Sequence, residues 1–222
     1  MTSAQASAAL PDRVGTTSRG ASVAAVLVAP ATMVVILAVS LLLLMTPIWM
    51  HFALVSAWAP GGDAAYGLSL SDNTVWEIFV GPGTFSAFAP DEGAHMRDVR
   101  VVFWGFMVLA IASLGLIVWR VARHRGEART WKSISRGGIA LAVALLVGGV
   151  IAFVAFESAF ELFHRIFFPG GNWAFPADSA LIQLYPYAFW QLSAGALGVL
   201  GISCGLIVWW LARRRARTLE SA

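Results

Sequence analysis

Cysteine and charge are both scarce in this chain. Its 222 residues contain one cysteine, Cys204, which excludes an internal disulfide framework and a metal site built on paired CxxC ligands. Charged residues make up only 12% of the sequence, whereas 59% of the residues are hydrophobic. A soluble domain of this size needs a more polar surface. The composition therefore predicts an integral membrane protein.

Four long runs lack charged side chains altogether. They are residues 23–50, 101–119, 138–156 and 188–211. About 20 helical residues cross the roughly 30 Å of hydrocarbon in a bilayer, and a helix satisfies its own backbone hydrogen bonds there. We therefore expect an all-α membrane protein, a bundle of four transmembrane helices. The lack of charge within the spans argues against a proton pump or an ion transporter.

The basic residues predict the orientation of these spans. They concentrate at 120–136 and 213–217, which the positive-inside rule places in the cytoplasm together with both termini. The two outer loops, 51–100 and 157–187, are richer in acidic residues and form an extracytoplasmic cap. The predicted organisation is a polar cytoplasmic tail at 1–22, a membrane domain at 23–211 and a basic cytoplasmic tail at 212–222 of a multi-pass protein in the cytoplasmic membrane.

The basic isoelectric point, near 9.6, does not indicate nucleic-acid binding. Its arginines and lysines lie next to the predicted spans, where anionic lipid headgroups attract them. Membrane lipids are therefore the predicted partners, and nucleic acid is not.

Local signals predict short helices in the cap. "TVWE" at 74–77 has the spacing of a capping box, so we expect a short helix there that ends near Val80. Pro90 suits the first turn of a helix that continues into the second span. The third helix is expected to continue past Glu157 to about Phe168, before a Pro-Gly-Gly break. "ADSALIQLY" at 177–185 predicts one more short helical element.

Two of the four histidines, His95 and His164, fall on the predicted outer extensions of helices. Asp91 and Asp98 lie within helical reach of His95, and Glu157 and Glu161 lie on the same face as His164. Such carboxylates can fix a tautomer and favour the protonated ring. Six aromatic residues surround His164 in sequence: Phe160, Phe163, Phe167, Phe168, Trp173 and Phe175. Spacing alone also fits ordinary interfacial histidines, helix caps and packed aromatics.

Three segments resemble a known family. "HMRDV" at 95–99, "FHRIFFPGGNWAF" at 163–175 and "LIQLYP" at 181–186 are similar to signature segments of the lipoprotein intramolecular transacylase (Lit) family of bacterial membrane proteins. The similarity extends through all four spans. Motifs for a zinc hydrolase (HExxH) and a phosphate loop (GxxxxGK[ST]) are missing from the sequence.

The resemblance implies an acyltransferase. Its substrate is a bacterial lipoprotein with a diacylglyceryl cysteine, and one acyl chain moves from the glyceryl group to the cysteine amine, giving a lyso-form. The implied catalytic residues are His95 and His164, as general base and acid in an unassigned order. Asp98 and Glu161 are the first candidates to orient them. Phe163, Phe167, Trp173 and Phe175 are the predicted pocket walls. No metal or soluble cofactor is implied.

Two other interpretations fit the residues. A metal or haem protein could use histidines of one membrane face as ligands. A non-catalytic protein could use its cap to dock another envelope protein, and this second possibility is the main alternative to an enzyme.

Overall fold

The described part of the chain is built from helices. The computed structural model describes residues 15–58 and 63–221, which contain eight helices and no strand. In chain order these are α1 Gly15–Leu44, α2 Pro47–Ala57, α3 Ala64–Phe79, α4 Pro90–His124, α5 Ala128–Val154, α6 Phe156–Phe167, α7 Ala180–Leu184 and α8 Tyr187–Glu220.

Four of these helices are long and apolar enough to cross a membrane. These helices are α1, α4, α5 and α8, and each one corresponds to one of the predicted spans. α4 has 35 residues, so it is about 52 Å long and extends well beyond a hydrocarbon core of about 30 Å. The all-α membrane bundle predicted from the sequence is confirmed, whereas the membrane boundaries of the spans stay predictions.

The first long helix ends earlier than predicted. α1 ends at Leu44, and the chain bends before α2 starts at Pro47. Proline has no N–H to continue the helix and disfavours helical geometry at the residue before it, and Thr46 is accordingly extended. The prediction of one helix through residue 50 was therefore wrong. α2 packs against α8 and α3, and its Leu54 is fully buried.

The predicted capping box at "TVWE" was also wrong. α3 begins at Ala64, and the Asp63 side chain caps it by accepting a hydrogen bond from the N–H of Tyr66. Thr74 lies inside the helix and donates to the carbonyl of Leu70. The predicted end of the helix near Val80 agrees with the structure, since Val80 is its C-cap.

The helix that follows the third span is interrupted once. α5 ends at Val154, non-helical geometry at Ala155 follows, and α6 then runs to Phe167, close to the predicted end. The short element predicted in "ADSALIQLY" corresponds to α7, which the Ser179 side chain caps.

Glycines allow close packing in the bundle. α5 and α8 form the most extensive helix pair, and α1 contacts α4, α5 and α8. A Cβ on Gly138 would lie 2.5 Å from the Gly205 carbonyl oxygen, and one on Gly205 would lie 2.7 Å from the Gly138 carbonyl oxygen. α5 and α8 thus meet backbone to backbone, as small residues permit in membrane bundles.

We call residues 63–100 and 156–186 the cap, because they cover one end of the bundle. Two buried carboxylates hold it together. Glu92 accepts the N–H groups of Ala89 and Leu181, both at 2.9 Å, and so joins the start of α4 to α7. Glu77 accepts the N–H of Thr84 and so closes the turn after α3. Cap residues share one hydrophobic core with α2 and α4, which fixes the start of α4 in place.

Candidate active site

The structure brings the two predicted histidines together. His95 lies in the second turn of α4 and His164 near the end of α6, 69 residues apart in sequence. Their ring centroids are 6.1 Å apart and the ring planes are inclined by 30°. Their exposures are only 6% and 9%, respectively. Two imidazoles at this separation can both reach one small reacting group.

His164 has a defined tautomer. Its Nδ1 lies 2.8 Å from the carbonyl oxygen of Phe160, one helical turn earlier. A carbonyl oxygen can only accept, so Nδ1 carries the proton, and Nε2 of the neutral ring keeps its lone pair. Burial lowers the pKa of His164 below its usual value of 6.5, while the bond to Phe160 acts in the opposite direction. The ring is therefore neutral at pH 7.

His95 is the more strongly perturbed of the two rings. It lies ahead of the charge-free stretch that begins at Val101, outside the predicted span. Burial lowers the pKa of His95 from 6.5 to about 4; His164 contributes in the same direction and Asp98 in the opposite one. Its Nδ1 is buried and has no hydrogen-bond partner among the described residues.

Asp98 is the predicted carboxylate that the structure brings to the site. It lies one turn after His95 on α4, and its Oδ2 accepts a hydrogen bond of 2.7 Å from the side-chain amide of Asn172. This bond ties α4 to the loop after α6. The same loop places Trp173 at 5.0 Å from His164 and Phe175 at 5.7 Å from His95, measured between ring centroids.

Glu161, the other predicted orienting carboxylate, has a neighbouring arginine as its partner. Its carboxylate pairs with Arg165 at 2.9 Å on the exposed side of α6. The hydrogen bond that holds His164 comes instead from the Phe160 backbone. The structure thus brings Asp98, and not Glu161, into the group around the histidines.

The aromatic walls differ in part from the predicted set. Phe168 is buried and contacts both rings, with its centroid 4.8 Å from that of His95 and 5.7 Å from that of His164. Phe160 stacks on His164 at 4.1 Å, and Phe163 lies 5.3 Å from it edge-on. Phe167 packs on Phe163 and is half exposed.

Sequence reasoning did not assign Asn172 or Glu92 to the site or its support. It placed Phe168 among the six aromatics around His164, but did not predict its contact with His95. The contacts of Asn172 with Asp98 and of Glu92 with Leu181 cross 74 and 89 residues, and no local spacing signals such contacts. The N3 position of Glu92 after Ala89 indicates a helix start, but not the second bond to α7.

α6 divides the site from an apolar surface. His164 lies on its buried side, whereas the large apolar side chains of another side are exposed: Leu162, Phe163, Ile166 and Phe167. A helix with one such side suits the boundary between lipid tails and headgroups. The histidine pair therefore lies one helix away from a surface that lipid can cover.

Among the described residues, no three His, Cys, Asp or Glu side chains lie close enough to hold a metal ion.

The fold and site together define the class of the protein: an integral membrane protein that holds two buried, neutral imidazoles at one end of its helix bundle.

Comparisons with known proteins identify a family. Residues 72–190 match the family described as Lipoprotein intramolecular transacylase Lit. A protein of Aquifex aeolicus (strain VF5), named only "Uncharacterized protein", is 31% identical over 122 residues. The match covers 55% of each chain, so this chain spans about half the length of the curated relative it matches.

Solved structures share the fold. The in meso structure of the lipoprotein intramolecular transacylase Lit from Bacillus cereus is 15% identical and has a TM-score of 0.66, over 92% of this chain and all of that chain. A variant of that protein with a histidine-to-alanine substitution is 14% identical and has a TM-score of 0.69, over 95% of this chain and all of that chain.

The family match includes all of α4, α5 and α6, and therefore both candidate histidines. The chain therefore belongs to the lipoprotein intramolecular transacylase Lit family, a family named for an enzyme.

Proposed function

We propose that this protein is a membrane acyltransferase. It moves a fatty acyl chain within a diacylglyceryl lipoprotein from the glyceryl group to the free amine of the N-terminal cysteine, leaving a lyso-form lipoprotein. The observation that carries the proposal is the pair of buried imidazoles, 6.1 Å apart, in a chain of the Lit family.

His164 is the general base of this reaction. Its Nδ1 proton is engaged by Phe160, so Nε2 is available to accept a proton from the attacking amine. Since burial keeps the ring neutral at pH 7, the lone pair is present when substrate binds. The Phe160 carbonyl, and not Glu161, orients this ring.

His95 is the electrophilic partner. Its Nδ1 is buried without a partner among the described residues, and a buried N–H without an acceptor is rarer than a bare acceptor. We therefore assign its proton to Nε2. A neutral imidazole can donate from this N–H to the ester oxygen that gains charge, as neutral histidine does in other enzymes.

The proton and bond changes balance with these two groups alone. The amine nitrogen forms the amide bond to the acyl carbon, and its proton passes to Nε2 of His164. The bond between the acyl carbon and the glyceryl oxygen then breaks, and that oxygen takes the proton from His164. The N–H of His95 stabilises the ester carbonyl oxygen, which gains negative charge when the amine attacks. Because amine and ester belong to one molecule, positioning contributes much of the rate enhancement.

The aromatic walls protect the ester from water. Phe168 lies against both rings. Phe160 and Trp173 lie against His164, and Phe175 lies against His95. Exclusion of water favours aminolysis over hydrolysis. The exposed apolar side of α6 gives the acyl chains a surface in the outer leaflet of the cytoplasmic membrane, where the positive-inside rule places the cap.

The test is mass spectrometry of a synthetic diacylglyceryl lipopeptide incubated with the purified protein. Tandem spectra locate each acyl chain on glycerol or on nitrogen. The wild type is expected to move one chain to the amine. His164→Ala and His95→Ala should each reduce the rate at least 100-fold, because general acid–base groups typically contribute 10²–10⁴-fold.

His51→Ala is the matched control. His51 pairs with the exposed Asp72 and lies outside the aromatic cluster, so its variant should keep full activity. Equal activity of the wild type and both site variants would contradict the assignment of the histidines. An unchanged lipopeptide with folded wild-type protein would contradict the reaction and favour the docking function.

A further inference from the structure

The end of the bundle away from the histidines contains a cavity. It has a volume of about 460 Å³ and lies between the first turns of α5, the α1 residues Val26 and Ala29, and Glu220 at the end of α8. Sites for small ligands commonly have volumes of roughly 300–1,000 Å³. The cavity is therefore large enough for a lipid headgroup.

Close helix contacts explain why the cavity lies at this place. On α5, a Cβ on Gly137 would collide with the Ala29 carbonyl oxygen of α1, and Gly138 meets Gly205 of α8. These contacts close the bundle at that level. The α5 residues that line the cavity, Ala128 to Arg136, come before them in the chain, so the cavity lies between the contacts and the basic end.

Three cations of α5 line this cavity. Arg129, Lys132 and Arg136 are spaced i, i+3 and i+7, so they share one side of the helix. Lys132 pairs with Glu220, the one carboxylate in the lining. Three positive charges against one negative charge leave an excess of two, enough to attract a phosphate group.

The remaining lining suits a lipid better than a free anion. Val26 of α1, an exposed apolar side chain, lines the cavity together with Ala29. A phosphate bound by Arg129 and Arg136 would thus have an apolar helix surface beside it for its acyl chains. Basic pockets between transmembrane helices at the cytoplasmic side are known sites for anionic headgroups.

We propose that this cavity binds the headgroup of an anionic phospholipid of the inner leaflet, with Arg129 and Arg136 on the phosphate. Such a site is independent of the acyl-transfer reaction. It anchors the junction of α1, α5 and α8, the three helices that meet there, and does not contact the histidine pair.

The experiment is native mass spectrometry of the full-length protein in neutral detergent, titrated with phosphatidylglycerol, phosphatidylcholine or inorganic phosphate. Phosphatidylglycerol should bind to the wild type much more tightly than phosphatidylcholine. The double variant Arg129→Gln/Arg136→Gln should weaken phosphatidylglycerol binding roughly 25-fold, about fivefold for each cation removed. Arg129→Lys/Arg136→Lys should retain most of the binding, which separates loss of charge from loss of folding.

The matched control is Arg213→Gln/Arg214→Gln. It removes the same charge at the same end of the bundle, from arginines that stack on Trp209 and Trp210. It should weaken binding by less than fivefold. Equal weakening by both double variants would overturn the proposal in favour of general surface attraction. Equally tight binding of inorganic phosphate would show a free anion to be the ligand. Neither readout depends on acyl transfer.

Discussion

Burial of two imidazoles side by side has a direct consequence for their protonation. Each ring loses water around its charged form, and for His95 a second ring nearby disfavours a positive charge further. A neutral base is thereby available at pH 7. Burial is the main cause of the lowered pKa of His95, and the charge of Asp98 limits how far that pKa falls.

Titration of the imidazole signals by NMR should detect these shifts in the folded protein. The His95 signal, identified by its loss in His95→Ala, should titrate with a midpoint near 4, and the His164 signal below 6.5. Because the pKa values are lower in the folded state than the unfolded value of 6.5, the unfolded state binds more protons below pH 6.5. Stability should therefore fall as the pH decreases from 6.5 through the folded pKa values.

Asp98→Asn is the matched variant for this titration. It removes the charge but keeps a side chain that can accept from Asn172, so the pKa of His95 should fall further. His164→Gln removes the neighbouring imidazole and should raise it. An ordinary midpoint near 6.5 for His95 in the wild type would contradict the burial of the pair.

The side chains that the structure brings together here were easier to predict from the sequence than the contacts between them. Two histidines in separate motifs, with Asp98 one turn after His95, were identified from helical spacing and family resemblance. The Phe160 carbonyl was not, because any residue one turn earlier offers the same backbone group. The Asn172 bond to Asp98 depends on how the loop after α6 folds back on α4, which periodicity does not describe.

At the scale of helices, the packing of α5 on α8 depends on two glycines. Gly138→Ala or Gly205→Ala would place a Cβ within 2.7 Å of a backbone carbonyl oxygen, which cannot move as a flexible side chain can. The helices must separate, and overpacking of this kind costs about 1–3 kcal/mol. Each variant should lower the thermal unfolding temperature measured in detergent.

Gly198→Ala provides the control for the glycine variants. It lies on the same helix as Gly205, but a Cβ there meets no atom within 4 Å. Alanine has the higher helix propensity, by about 1 kcal/mol, so this variant should be neutral or slightly stabilising. Equal unfolding temperatures for all three variants would contradict the backbone contact of α5 and α8.

The helix ends that the sequence predicted correctly lie next to a proline or a glycine. Pro90 starts α4 as expected, and the sequence "GPG" follows the end of α3. The start of α3 at Ala64 was not predicted because Thr74 and Glu77 have the spacing of a capping box. In the structure, Glu77 instead accepts hydrogen bonds from Thr84, in the turn that follows the helix. Pro47 could have indicated the break between α1 and α2, but hydrophobicity continues across it.

For the whole molecule, function depends on which side of the membrane the cap occupies. The histidine pair and the basic cavity lie at opposite ends of the bundle, so one orientation determines both environments. A lipoprotein substrate that presents its amine and ester in the outer leaflet requires the cap outside. The positive-inside rule supports that orientation, because basic residues cluster at the ends of α4, α5 and α8 away from the cap.

Cysteine labelling in spheroplasts tests this orientation. Cys204→Ala first removes the native thiol, and Asp178→Cys or Ser221→Cys then adds one at an exposed position of the cap or after α8. A membrane-impermeant maleimide should label the cap cysteine in intact spheroplasts, and the cysteine at 221 only after lysis, because the charged reagent does not cross the bilayer. The reverse pattern would place the histidines at the cytoplasmic face, which contradicts the proposed substrate access, and would move the basic cavity to the outer leaflet.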